Sequence, residues 1–123
     1  MIKNILLVGL GGGIGSILRY VATLLMNAKR FPYATLSVNI IGSFIIGLVL
    51  ALSMKDQSFA NNWKLFLATG ICGGFTTFSA FTLENMQLLQ NGKTGMAFLY
   101  IALSVVLGIA ATFSGYHLIM KSS

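Results

Sequence analysis

The chain has 123 residues, of which 56% are hydrophobic and 8% charged. A soluble domain usually carries about 25% charged residues, so the deficit points to lipid, and the length holds about four spans and no second domain. The net charge of +6 forms no basic run and no basic-aromatic pattern, which argues against a nucleic-acid partner and for basic residues at span ends.

The first span is expected over about Ile5 to Met26. Its start resembles a signal peptide, but Arg19 and Tyr20 stand where a small-residue cleavage site belongs, so a retained span is expected. Gly11, Gly15 and Arg19 recur every four residues, as do Gly9 and Gly13, a spacing that lets helices approach closely. Arg19 keeps its charge and needs carbonyls, an acid or water, so a structural anchor near a span end is expected rather than a ligand for a transported ion.

Pro32 opens the second span, over about Tyr33 to Met54. Thr35, Asn39, Ser43 and Gly47 form one stripe on it. Asn39 offers donors and an acceptor inside an apolar segment, either as interhelical glue or facing a polar path. "KDQSFANNW" reads as a polar connection, and the third span follows over about Lys64 to Leu89. Within it, Gly73 and Gly74 can leave helical backbone angles. A break there exposes carbonyls and amides, tolerated only where they line a cavity or bind something. Carbonyls suit a hard cation and amides an anion, while tight packing alone also accounts for a glycine pair. Beyond the break Thr77, Phe81 and Glu84 share a face, with Phe78 beside Phe81. Such rings are ordinarily apolar bulk, yet their positive edges can attract an anion. "QNGKTG" is a turn, and the fourth span, over about Met96 to Met120, carries the stripe Tyr100, Ser104, Gly108 and Thr112.

Four spans put Lys3, Lys55, Lys64 and Lys121, with Asp56, on one side, and Lys29, Arg30 and Lys93 on the other. Orientation follows the Lys/Arg bias of short loops. A balance this even predicts insertion both ways, as an antiparallel homodimer. Catalysis is not expected: Cys72, His117, Asp56 and Glu84 make no metal cluster, carboxylate pair or triad.

Three segments together resemble the Fluc-type fluoride channels, the CrcB-like family, over essentially the whole chain. They are "GGIGSILRY" (Gly12 to Tyr20), "TLSVNIIGSFIIG" (Thr35 to Gly47) and "GGFTTFSAF" (Gly73 to Phe81) with Glu84 following. The resemblance implies an all-α membrane protein of the cell inner (plasma) membrane, with four transmembrane helices per subunit and the third broken near Gly73–Thr76. Residues 1–123 would form one domain, assembled as an antiparallel, dual-topology homodimer in the lipid bilayer. Each dimer would hold two fluoride pathways, built from Asn39, Phe78, Phe81, Tyr100 and Ser104, with Thr77 and Glu84 alongside. Backbone carbonyls of Gly73 and Thr76 from both subunits would hold a sodium ion that is structural and not transported. Ala34, Ser16, Ala80 and Gly108 depart from common family residues, and Gly108 stands where some members carry serine. The alternative is a small proton-coupled exporter of the four-span multidrug type, for which Glu84 is the only acid inside a span. A purely structural assembly subunit is a third reading.

Overall fold

The apolar runs are helical, and side-chain caps from Asp56 and Thr77 open two of the helical segments. The computed structural model describes residues 1–26 and 32–121. Lys29 and Arg30, which enter the loop charge balance, lie outside the described residues. Ile2–Leu25 is α1, Tyr33–Lys55 is α2 and Gln57–Asn62 is α3. A π-helical segment, Leu65–Cys72, runs into the single turn α4 (Gly73–Phe75), and α5 (Phe78–Gln90) and α6 (Thr94–Lys121) complete the chain. Four stretches, Ile2–Leu25, Tyr33–Lys55, Leu65–Gln90 and Thr94–Lys121, are long and apolar enough to cross a membrane.

The helices meet backbone to backbone where the sequence supplies glycine. A Cβ on Gly11 would stand 2.8 Å from the Phe66 carbonyl oxygen, and one on Gly15 would overlap the Ile71 carbonyl. Gly74 presses in the same way on the Gly12 carbonyl. This seam joins α1 to the first half of the third span, with no side chain between the two backbones. Gly9 and Gly13 face nothing within 4 Å, so the two glycine stripes of α1 separate into an inner seam and an outward surface.

A second seam joins α2 to α6. Cβ atoms on Gly47 and Gly115 would overlap the Thr112 and Phe44 carbonyls. The Thr112 hydroxyl lies 3.1 Å from the carbonyl oxygens of both Ser43 and Gly108 and shares its proton between them. These contacts run the two helices in parallel. The best-buried window of hydrophobic chain lies in α2, at 39% against 11 to 17% in the other spans, which makes α2 the central helix. Leu36, Leu88, Ala97 and Tyr100 form the buried cluster where α2, α5 and α6 converge. Ile5, Leu6, Val106, Ile109 and Phe113 face outward, as lipid-facing positions of a membrane helix do.

The second and third connections are short and satisfied. The second was expected as plain polar chain, yet it holds α3, because the Asp56 carboxylate accepts from the amides of Ser58 (2.9 Å) and Phe59 (3.3 Å) and caps its start. The third is a helix-ending glycine motif: Gly92 has φ of 75°, and the Lys93 and Gly92 amides donate to the Leu88 and Leu89 carbonyls at 2.8 and 3.2 Å. Lys55 Nζ donates to the Ile119 carbonyl at 2.6 Å and so neutralises the end of α6.

Candidate functional site

Helical geometry lapses inside the third span. Thr76 (φ −85°, ψ 155°) and Thr77 (φ −151°, ψ 125°) are extended, between α4 and α5. An extended residue points its own N–H and C=O the same way, as in one residue of a β ladder. Asn39 on α2 meets that pair. Thr77 N–H donates to Asn39 Oδ1 at 2.9 Å, and Asn39 Nδ2 donates to the Thr77 carbonyl at 3.3 Å. The carboxamide thus stands in for a partner strand, and its second N–H is left over.

Other side chains complete the segment. Thr77 Oγ1 accepts from the Ala80 amide at 3.1 Å and caps α5. Thr76 Oγ1 donates back to the Cys72 carbonyl at 2.9 Å. Arg19 Nε donates to the Gly74 carbonyl at 3.2 Å, so this charge of α1 anchors the end of α4. One consequence concerns Gly73 and Thr76. In an unbroken helix their carbonyls would accept from Thr77 N–H and Ala80 N–H. Both amides bond elsewhere, so both carbonyl oxygens fall outside the helical ladder.

A groove of about 340 Å³ lies against this segment, lined among others by Asn39, Thr77, Phe78, Phe81, Ser104 and Gly108. Phe78 is 76% exposed, whereas Phe81 packs on the buried cluster. The two ring centroids are 5.9 Å apart with planes tilted by 38°. Phe81 also meets Tyr100 edge to face at 4.9 Å. The Ser104 hydroxyl is enclosed and makes no hydrogen bond among the described residues.

One turn beyond Phe81, the Glu84 carboxylate accepts from the hydroxyls of Thr35 (2.9 Å) and Tyr100 (3.0 Å). Thr35 and Tyr100 are buried, and the two oxygens of Glu84 each accept one hydrogen bond. Tyr100 therefore presents its hydroxyl to a carboxylate and its ring to Phe81. Asn39, Thr77, Phe78, Phe81 and Ser104 share one groove. Glu84 and Tyr100 form a hydrogen-bonded end beside it, and Arg19, Gly73 and Thr76 belong to the break. The Asn39–Thr77 clamp was not foreseen, because nothing local marks a contact between residues 38 apart. Thr35 and Ser43 were visible as stripe members, although not as site residues.

A family model described as "CrcB-like protein, Camphor Resistance (CrcB)" matches residues 6–116. A protein of Flavobacterium psychrophilum is 51% identical over 116 residues, 92% of this chain and 94% of the relative. One of Azobacteroides pseudotrichonymphae is 49% identical over 121 residues, covering 96% and 97%. One of Thermus thermophilus is 46% identical over 119 residues, covering 94% of each. Each of these relatives bears the name fluoride-specific ion channel FluC. With a family match along most of its length and four helices able to cross a membrane, the chain is a multi-pass membrane protein and belongs to the CrcB-like family.

Proposed function

We propose that this protein is a fluoride-specific channel of the cell inner membrane that lets fluoride leave the cytoplasm passively. The observation that carries the reading is the groove in which Asn39, Thr77, Phe78, Phe81 and Ser104 come together, in a chain whose relatives bear the name of fluoride channels. Fluoride is small and strongly hydrated, so a path for it must replace water with donors while staying too narrow for chloride. Asn39 retains one N–H after clamping Thr77. Ser104 carries a hydroxyl with no hydrogen bond among the described residues. The rings of Phe78 and Phe81 supply positive edges and no proton. Fluoride enters cells as the neutral acid and is trapped as the anion at cytoplasmic pH, and a negative interior favours its exit through a passive pore. The protein is not an enzyme.

Residues 1–123 act as one domain whose third span works as two half-helices. The working unit is an antiparallel homodimer with two pathways. Phe78, exposed at the break, and the near-even Lys/Arg balance of the loops support a second copy inserted the other way. The carbonyls of Gly73 and Thr76 would hold a sodium ion at the dimer centre. The diversion of the Thr77 and Ala80 amides to Asn39 and Thr77 Oγ1 fits that use, since hard oxygens outside the helical ladder suit such a cation. Bound there, sodium would supply fixed positive charge joining the two chains. The hydroxyls on both oxygens of Glu84 support a fixed acceptor rather than the mobile proton carrier a multidrug-type exporter needs.

The test is efflux from proteoliposomes loaded with fluoride or chloride. Fast fluoride release with no chloride release is expected, and equal release of both, or of neither, would refute the reading.

A further inference from the structure

We propose that Ser43 on α2 is a further anion-contacting hydroxyl, which serves the level of the path where α6 carries Gly108 and so has no side chain to offer. The proposal rests on the channel reading and deepens it by assigning a residue to the passage below the rings.

The groove beside the break does not end at Ser104. It adjoins a wider one, of about 870 Å³, whose lining includes Leu50, Met54, Phe113 and Tyr116. Ser43, Ser104, Val105 and Gly108 line both, so these four residues are the junction. On the narrow side stand the carboxamide of Asn39 and the hydroxyl of Thr77. On the wide side the lining is mostly apolar. An anion crossing the junction would exchange the last polar contacts of the narrow groove for water, and each donor there matters.

At the junction α6 offers Ser104, and one turn further on it has only Gly108. A Cβ at Gly108 would meet one atom within 4 Å, the Ser43 hydroxyl oxygen at 3.8 Å. The gap on α6 is therefore faced by a hydroxyl from α2. The register is held by Thr112, whose hydroxyl lies 3.1 Å from the carbonyl oxygens of both Ser43 and Gly108.

The Ser43 hydroxyl is also uncommitted. Hydroxyls within helices usually bond back to the carbonyl one turn earlier, as Ser53 does to Val49 at 2.7 Å and Thr23 does to Arg19 at 3.0 Å. Ser43 makes no such bond to Asn39 and no other side-chain hydrogen bond among the described residues. It is not among the enclosed, unpaired atoms, unlike Ser104, so it remains open to the groove. A half-buried hydroxyl with its proton free, facing the empty position of the opposite helix, is placed to donate to a passing anion.

The experiment compares the parent, Ser43→Ala and the double variant Ser43→Ala with Gly108→Ser, each purified and reconstituted for fluoride efflux. Ser43→Ala should lower fluoride flux by about tenfold or more, the factor carried by one hydrogen bond to a charged group. Its elution volume and thermal midpoint should match the parent, because the hydroxyl holds nothing in the fold. The double variant should recover most of the flux, since a serine at 108 directs its hydroxyl into the same space. Parent-rate flux in folded Ser43→Ala would overturn the proposal, leaving the junction to lipid or the second copy. So would a folded double variant that stays slow, or a Ser43→Ala chain with an altered thermal midpoint, which would make the hydroxyl structural. A parent that carries no fluoride would remove the channel reading itself, an outcome distinct from the others.

Discussion

Replacing Asn39 by alanine should unfasten the extended segment of the third span. The wild-type carboxamide holds Thr77 by bonds of 2.9 and 3.3 Å to its amide and carbonyl. Alanine leaves both backbone groups half-buried beside the groove. An unsatisfied group costs about 1–3 kcal/mol when fully buried. Water in the groove recovers part of that, so the loss should be about 2–4 kcal/mol for the two groups together. A change of about 2 kcal/mol is a factor of about 30 in an equilibrium constant. Amide exchange at Thr77 in detergent should therefore speed up by at least that factor, with a lower thermal midpoint followed through Trp63 fluorescence. Asn39→Asp separates the two roles of the residue. Its carboxylate still accepts from Thr77 N–H but sets its second oxygen against the Thr77 carbonyl, so exchange at that amide should fall between the parent and Asn39→Ala, while fluoride flux falls because the donor is gone and a negative charge faces the anion. Unchanged Thr77 exchange and an unchanged midpoint in Asn39→Ala would refute the clamp.

Phe78→Ile and Phe81→Ile keep apolar bulk but lose the quadrupole, and each should cut fluoride flux sharply in protein that still elutes as the parent does; parent-rate flux in both would make the rings filler. Gly47→Ala sets a methyl against the Thr112 carbonyl and should lower stability by about 1–3 kcal/mol in a melting experiment, whereas Gly95→Ala, with open space around its Cβ, should be neutral or slightly stabilising. Two lysines added to one set of loops should force a single orientation and abolish flux, restored by co-expressing the oppositely biased chain; full flux from one biased chain alone would exclude the antiparallel dimer.

The spans were legible because nothing but lipid asks for apolar runs of this length, and the turn at Gly92 was legible because the chain must adopt a positive φ there. What sequence could not do was choose among equivalent signals. Gly9 and Gly13 carry the same spacing as Gly11 and Gly15, yet only the second pair touches another helix, since which face of α1 turns inward depends on where the third span lies. The short helix α3 was missed in a polar stretch, although Asp56 ahead of "QSFANN" is an N-cap signal. The π-helical winding of Leu65–Cys72 has no pattern of its own in these residues. Asn39 was recognisable as an expensive group inside a span. That its partner is the Thr77 backbone depends on tertiary placement alone.

The break shows why those pieces belong together. In a bilayer every lost helical hydrogen bond must be replaced within the protein, so an interruption at Thr76 and Thr77 is tolerable only with substitutes at hand. Asn39 takes the Thr77 amide and carbonyl, Thr77 Oγ1 takes the Ala80 amide, and Arg19 takes the Gly74 carbonyl. The glycine seam between α1 and the third span is what brings Arg19 close enough, since a Cβ on Gly15 or Gly74 would overlap backbone there. Each substitute comes from a different span or from the break itself, so the interruption is a property of the packed bundle and not of residues 70–81. The same substitutions leave the Gly73 and Thr76 carbonyls outside the ladder and turn the first residues of α5, with Phe78 and Phe81, toward the groove. A helix that merely packed through its glycines would need no such replacement set. The side chains that repair the break are the ones that set the geometry of the proposed path.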